Sequence, residues 1–125
     1  WDEVFAINVK GSYLTAHFAI PEMEKRGRGV VVNVSSVQAF ASQKSVAAYT
    51  AGKGAINALT RAMALDHAAQ GIRVVVVCPA SVDTPMLAYA ADVWQSDAQT
   101  PDDLLRAWGR MHPLGRIAKP EEGAE

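Results

Sequence analysis

Two short valine-rich runs, Val30-Val31-Val32-Asn33-Val34 and Ile72 to Cys78, flank an alanine-rich stretch, and this order constrains the fold more than any other feature. The continuous β-branched character of the first run predicts a strand buried on both faces, as in a parallel sheet. From Ala47 to about Gln70, Ala recurs beside Ile56, Leu59, Met63 and Leu65, which predicts a helix closed by Gly71 as a C-cap. Its many alanines leave more than one smooth face, so it can pack on a sheet with one side and on a partner chain with another. Strand, helix and strand in this order form a βαβ unit with a right-handed crossover.

Upstream, Trp1 to about Arg26 reads as a long helix with Val4, Ile7, Tyr13, Leu14 and Phe18 at helical spacing. Pro21 is expected to kink it or start a fresh turn, and Gly27-Arg28-Gly29 to stop it. Residues 35–46 read as a loop. Beyond the second strand, Pro79-Ala80-Ser81 breaks the chain, and residues 86–111 read as one or two short helices around Thr100-Pro101. Thr100 is expected to cap the second, with Asp102 and Asp103 near its positive end. Trp94, Leu104, Leu105 and Trp108 either line a partly apolar pocket or form the core of this segment.

Composition excludes several classes. With 125 residues, half of them hydrophobic, and a net charge of −1, the chain offers no electrostatic reason to bind nucleic acid or an anionic membrane. No apolar run reaches the length of a spanning helix. Cys78 is the only cysteine, so no intrachain disulfide forms, and its place after a valine run predicts a small buried hydrophobe. His17, His67 and His112 lack metal-ligand spacing, so no metal site is expected. No Gly-x-Ser-x-Gly elbow marks a hydrolase. These features predict a soluble cytoplasmic protein.

Chemistry concentrates in two places. Tyr49 and Lys53 are four residues apart and share a helix face, where an ammonium favours the phenolate and lowers the phenol pKa from about 10. Ser35 and Ser36 end the first strand, and open α/β sheets bind ligands at the carboxyl ends of their strands. A serine there can hydrogen-bond the same substrate oxygen.

Ser36, Tyr49 thirteen residues on, and Lys53 together resemble the active site of the short-chain dehydrogenase/reductase family. The resemblance covers nearly the whole chain. Asn8, in Ile7-Asn8-Val9-Lys10-Gly11, matches the helix Asn of the family's catalytic tetrad, which holds a water near the lysine. The resemblance implies that Ser36 polarises the substrate oxygen and that Tyr49 is the general acid/base. Lys53 would lower the Tyr49 pKa and hydrogen-bond the nicotinamide ribose. Pro79-Ala80-Ser81-Val82-Asp83-Thr84 resembles the family's Pro-Gly-x-x-x-Thr segment, so Pro79, Val82 and Thr84 would hold the nicotinamide carboxamide. Ala80 stands where the family has Gly.

The implied fold is α/β, a doubly wound Rossmann-type parallel sheet that is incomplete, with the C-terminal portion only. Residues 1–125 would be part of a single NAD(P)-binding Rossmann-type domain, lacking the N-terminal cofactor phosphate-binding half and the last strand, with residues 85–112 as a substrate lid. The implied activity is NAD- or NADP-dependent interconversion of a small secondary alcohol and a ketone. The implied assembly is a homodimer or homotetramer through helices 1–26 and 47–70. A reductase of acyl-carrier-protein-bound 3-ketones is the alternative enzyme, but the lid is acidic and aromatic, which favours a free small molecule. A non-catalytic binding or assembly module that keeps the fold is the alternative from another class. Two central strands without neighbours predict poor stability for the segment alone.

Overall fold

The computed structural model describes residues 1–123. It resolves into two compact units, Trp1–Cys78 and Pro79–Glu125. In the first unit the chain runs through α1 (Asp2–Phe5), a π-helical turn (Ala6–Lys10), α2 (Gly11–Glu24), β1 (Gly29–Val34), a 3-10 turn (Val37–Ala39), α3 (Ala47–His67) and β2 (Ile72–Val77). The second holds α4 (Pro85–Trp94) and α5 (Pro101–Arg110).

The first helical run is continuous through Pro21 and ends at Glu24, so Pro21 does not start a fresh turn. The alanine-rich helix stops at His67, three residues before the expected end, and tightens into a 3-10 turn over Ala68–Gln70. Gly71 then takes φ 75, as expected of a cap. This glycine is required, because a Cβ on it would lie 2.5 Å from the carbonyl oxygen of Gly27 in the adjoining turn.

β1 and β2 pair in parallel from Gly29 opposite Ile72 to Val34 opposite Val77. The two strands alternate strictly. Val31 and Asn33 face inward with Ile72 and Val74, and pack beneath α2 and α3 around Ala16, Ile20, Met23, Leu59 and Met63. Val30, Val32 and Val34 are 49%, 55% and 58% exposed on the opposite face. The expectation of burial on both faces is therefore corrected: the described helices of this unit supply one covering layer, and the valine run carries apolar side chains outward as well as inward.

In the second unit the break at Thr100-Pro101 falls where expected. Thr100 and Asp103 form a reciprocal capping box at the start of α5. Its oxygens accept both the Thr100 hydroxyl and the Arg106 guanidinium, and these hold the Asp103 carboxyl down at about 2. Trp94 and Trp108 pack edge to face with centroids 5.8 Å apart, and Ala91 and Leu104 are buried. The two tryptophans of this segment thus contact each other, while Tyr89 is exposed.

Candidate active site

The chain enters α3 through Ser45, which is left-handed at φ 64. One turn into the helix, Tyr49 and Lys53 share a face as their spacing requires, with the Lys53 Nζ 5.5 Å from the centre of the Tyr49 ring. The Lys53 ammonium donates to the main-chain carbonyl of Val34, the last residue of β1, at 3.0 Å. Burial pushes the Lys53 pKa below the ordinary lysine value, with the neighbouring Cys78 acting in the opposite direction. One of three ammonium donors is used on Val34, which leaves two for hydroxyl acceptors.

The two serines that end β1 differ sharply in how they are used. Ser35 is 3% exposed and donates its hydroxyl to the main-chain carbonyl of Lys53 at 2.9 Å. Ser36 has an extended backbone and accepts the Gln38 N–H at 3.1 Å, capping the 3-10 turn. That contact uses a lone pair, so the Ser36 hydroxyl keeps its proton to donate. Ser35 is committed to the lysine, whereas the Ser36 hydroxyl proton has no acceptor among the described residues.

Asn8 sits inside the π-helical turn, a local widening found often at functional positions. Its Nδ2 donates to the Val4 carbonyl at 3.1 Å, and its own carbonyl accepts the Ser12 hydroxyl at 2.7 Å. One of the two amide N–H groups is thus spent on its own helix, and the side-chain oxygen is not. This helix crosses α3 at Gly52, where a Cβ would meet Val9 at 3.7 Å and Val4 at 3.9 Å. The crossing brings the Asn8 turn beside the Tyr49–Lys53 turn.

Sequence reasoning missed the rest of this polar seam. Asn33, buried in β1, donates to the Thr60 hydroxyl at 2.8 Å, and Thr60 donates in turn to the Ile56 carbonyl. Cys78 is half-buried rather than a core hydrophobe, and its thiol lies 3.7 Å from Asn57 Oδ1, because the polar face of α3 continues beneath it. The signal was present in two periods. Tyr49, Lys53, Asn57 and Thr60 recur at helical spacing, and Asn33 and Ser35 lie two apart on one side of a strand.

Pro79, Val82 and Thr84 belong to the second unit. Val82 forms a parallel bridge with Ala118, held by Asp83 N–H to Ala118 at 2.8 Å and Ala118 N–H to Ser81 at 2.9 Å. Thr84 caps α4, accepting the Leu87 N–H and donating to the Val82 carbonyl at 3.2 Å. Ser45 is the one non-glycine residue with positive φ among the described residues, so Ala80 meets no need for a glycine torsion.

Parallel strands under an alanine-rich helix define a Rossmann-type α/β unit, and the comparisons with known proteins narrow the class. Residues 1–93 match the short chain dehydrogenase family, and the chain belongs to it. The inactive 2-(S)-hydroxypropyl-CoM dehydrogenase 2 of Xanthobacter autotrophicus is 40% identical over 100% of this chain and 53% of its own length. The 2-(R)-hydroxypropyl-CoM dehydrogenase of the same organism is 40% identical over 74% of this chain and 37% of its own. The ligand-free structure of the Thermoplasma acidophilum aldohexose dehydrogenase superposes with a TM-score of 0.82 at 42% identity, covering 91% of this chain and 45% of that one. The chain spans about half the length of the curated relatives it matches.

Proposed function

We propose that the protein carrying this chain is an NAD(P)-dependent oxidoreductase that interconverts a small secondary alcohol and a ketone, and that residues 1–125 are part of its single Rossmann-type domain. The observation that carries this reading is the Tyr49–Lys53 pair, ammonium 5.5 Å from ring centre, on a helix tied to the end of the strand that Ser36 follows. Tyr49 gives a proton to the carbonyl oxygen during reduction and takes one from the alcohol during oxidation. Ser36 donates a hydrogen bond to that same oxygen. Lys53 sets its ammonium beside the Tyr49 ring, and Asn8 supports the lysine through an intervening water.

The residues present fit a nicotinamide cofactor. Within the first unit, Tyr49 and Lys53, which keeps two donors, would meet the ribose hydroxyls, and the family resemblance assigns Pro79, Val82 and Thr84 of the second unit to the carboxamide. The nicotinamide ring, when bound, accepts or supplies the hydride. Residues 85–112 act as the substrate lid. Relatives named for opposite enantiomers match at the same 40% identity, so overall similarity does not select a stereochemistry.

A second reading has its own support. A relative that is 40% identical over the whole chain is named as inactive, so the family fold and this degree of identity can persist without turnover. The test is steady-state oxidation of a panel of secondary alcohols by the full-length protein with NAD+ and NADP+. Turnover that falls by about 10²–10⁴-fold in Tyr49→Phe supports the catalytic reading. Full activity in Tyr49→Phe overturns it, and nicotinamide binding without turnover in the unaltered protein supports the non-catalytic one.

Phe18 and Leu65, 72% and 82% exposed on α2 and α3, support a homodimer or homotetramer through these helices. Sedimentation of the full-length protein with Phe18→Glu and Leu65→Glu tests this, with dissociation expected.

A further inference from the structure

Lys53 is gripped at both ends by two consecutive residues of the strand end. The Val34 carbonyl receives its ammonium at 3.0 Å, and the Ser35 hydroxyl donates to its main-chain carbonyl at 2.9 Å. A carbonyl oxygen has two lone pairs, and inside an α-helix the amide four residues on takes one of them. Ser35 takes the other. The contact therefore costs the helix nothing, and it fixes the height of this turn of α3 against the end of β1. A lysine side chain is otherwise free to swing on its four-carbon stem.

We infer that Ser35 is a positioning residue for Lys53, anchoring the lysine's main chain so that its ammonium is held on the Val34 carbonyl beside Tyr49. This deepens the proposed function and rests on it, since it assigns the second serine of the pair to the lysine and leaves Ser36 for the substrate. The inward row of β1 places Asn33 and Ser35 on the same side, and both are buried against α3. Their roles differ. The Asn33–Thr60 bond ties the helix down about two turns further along, whereas Ser35 acts on the lysine itself.

The decisive readout is the pH dependence of Lys53 amine labelling, followed by peptide mass spectrometry on the full-length protein, because it needs no turnover. Loss of the anchor in Ser35→Ala frees the ammonium to reach water, raises its pKa and lowers labelling near pH 8 by about threefold. Ser35→Cys keeps the volume with a weaker donor and gives a shift in the same direction if Ser35→Ala does not fold. Thr60→Val breaks the neighbouring buried bond and lowers the melting temperature without moving the Lys53 profile.

A Lys53 profile identical to the unaltered protein's in the folded Ser35 variants overturns the inference. So does an equal shift in Thr60→Val, which would make Ser35 one structural contact among several. The functional reading fails separately, through an active Tyr49→Phe, whatever the labelling shows.

Discussion

The two faces of the β1–β2 ribbon are built from the same residue type and have opposite fates. Inward, Val31, Ile72 and Val74 meet α2 and α3 and exclude water, and toward the carboxyl end the apolar packing gives way to hydrogen bonds from Asn33 and Ser35. Outward, Val30, Val32, Val34, Val75 and Val77 form an apolar row on which no described element of this unit packs. The difference teaches that strand composition reports the capacity to be buried, while the layers that accompany the strand decide whether it is.

The largest test of this contrast is Ile72→Ala against Val32→Ala. Removing Ile72, 3% exposed, costs about 2–5 kcal/mol by denaturant unfolding. Val32→Ala costs well under about 1 kcal/mol in the 125-residue chain, because little transfer energy is lost at an exposed position. A markedly higher cost for Val32→Ala in the full-length protein would show that the outer face is covered there.

Next in size is the polar end of the inner face. Thr60→Val leaves the buried Asn33 amide without its acceptor and is expected to cost about 1–3 kcal/mol. The smaller Gly54→Ala change runs the other way. A Cβ there meets nothing within 4 Å, so ordinary helix propensity raises stability by up to about 1 kcal/mol. A loss at Gly54 would mean that this side of α3 is also packed in the protein tested.

The smallest effect is electrostatic. Burial lowers the Lys53 pKa in the folded state, so between that lowered value and 10.5 the unfolded chain binds more protons than the folded one. Stability from this group therefore rises as pH rises through that window, as the folded state is relieved of holding a half-buried ammonium. Unfolding midpoints of the unaltered protein and Lys53→Met, measured across pH 8 to about 10.5, should differ least at the upper end.

Much of this architecture was legible because local chemistry and global fold agree. The β-branched runs, the alanine run ended by Gly71 and the Thr-Pro-Asp-Asp start of α5 each specify their own conformation. The thirteen-residue spacing to Tyr49 distinguishes Ser36 from Ser35, and the two hydroxyls differ in use, since that of Ser35 is spent on Lys53 and that of Ser36 caps the turn after it. The π-helical turn around Asn8 was not legible, since nothing in Ala6–Lys10 signals a widened turn; it lies where Val4 and Val9 pack near Gly52. The half-exposure of Cys78 was misread for a related reason. A valine-rich run says nothing of the polar face of the helix above it.

The parallel pairing of Gly29 with Ile72 also sets an order in time. A hairpin strand meets its partner within a few residues of synthesis, but β1 must wait for the loop, all of α3 and the turn at Gly71. At about 5–20 residues per second, a ribosome exposes Val30–Val34 for a few seconds before β2 has emerged. During that interval both faces of the valine strand are unprotected, and nascent chains on neighbouring ribosomes are its nearest competitors for pairing. Slower translation across residues 35–72 should lower the soluble yield before it alters any property of the folded molecule.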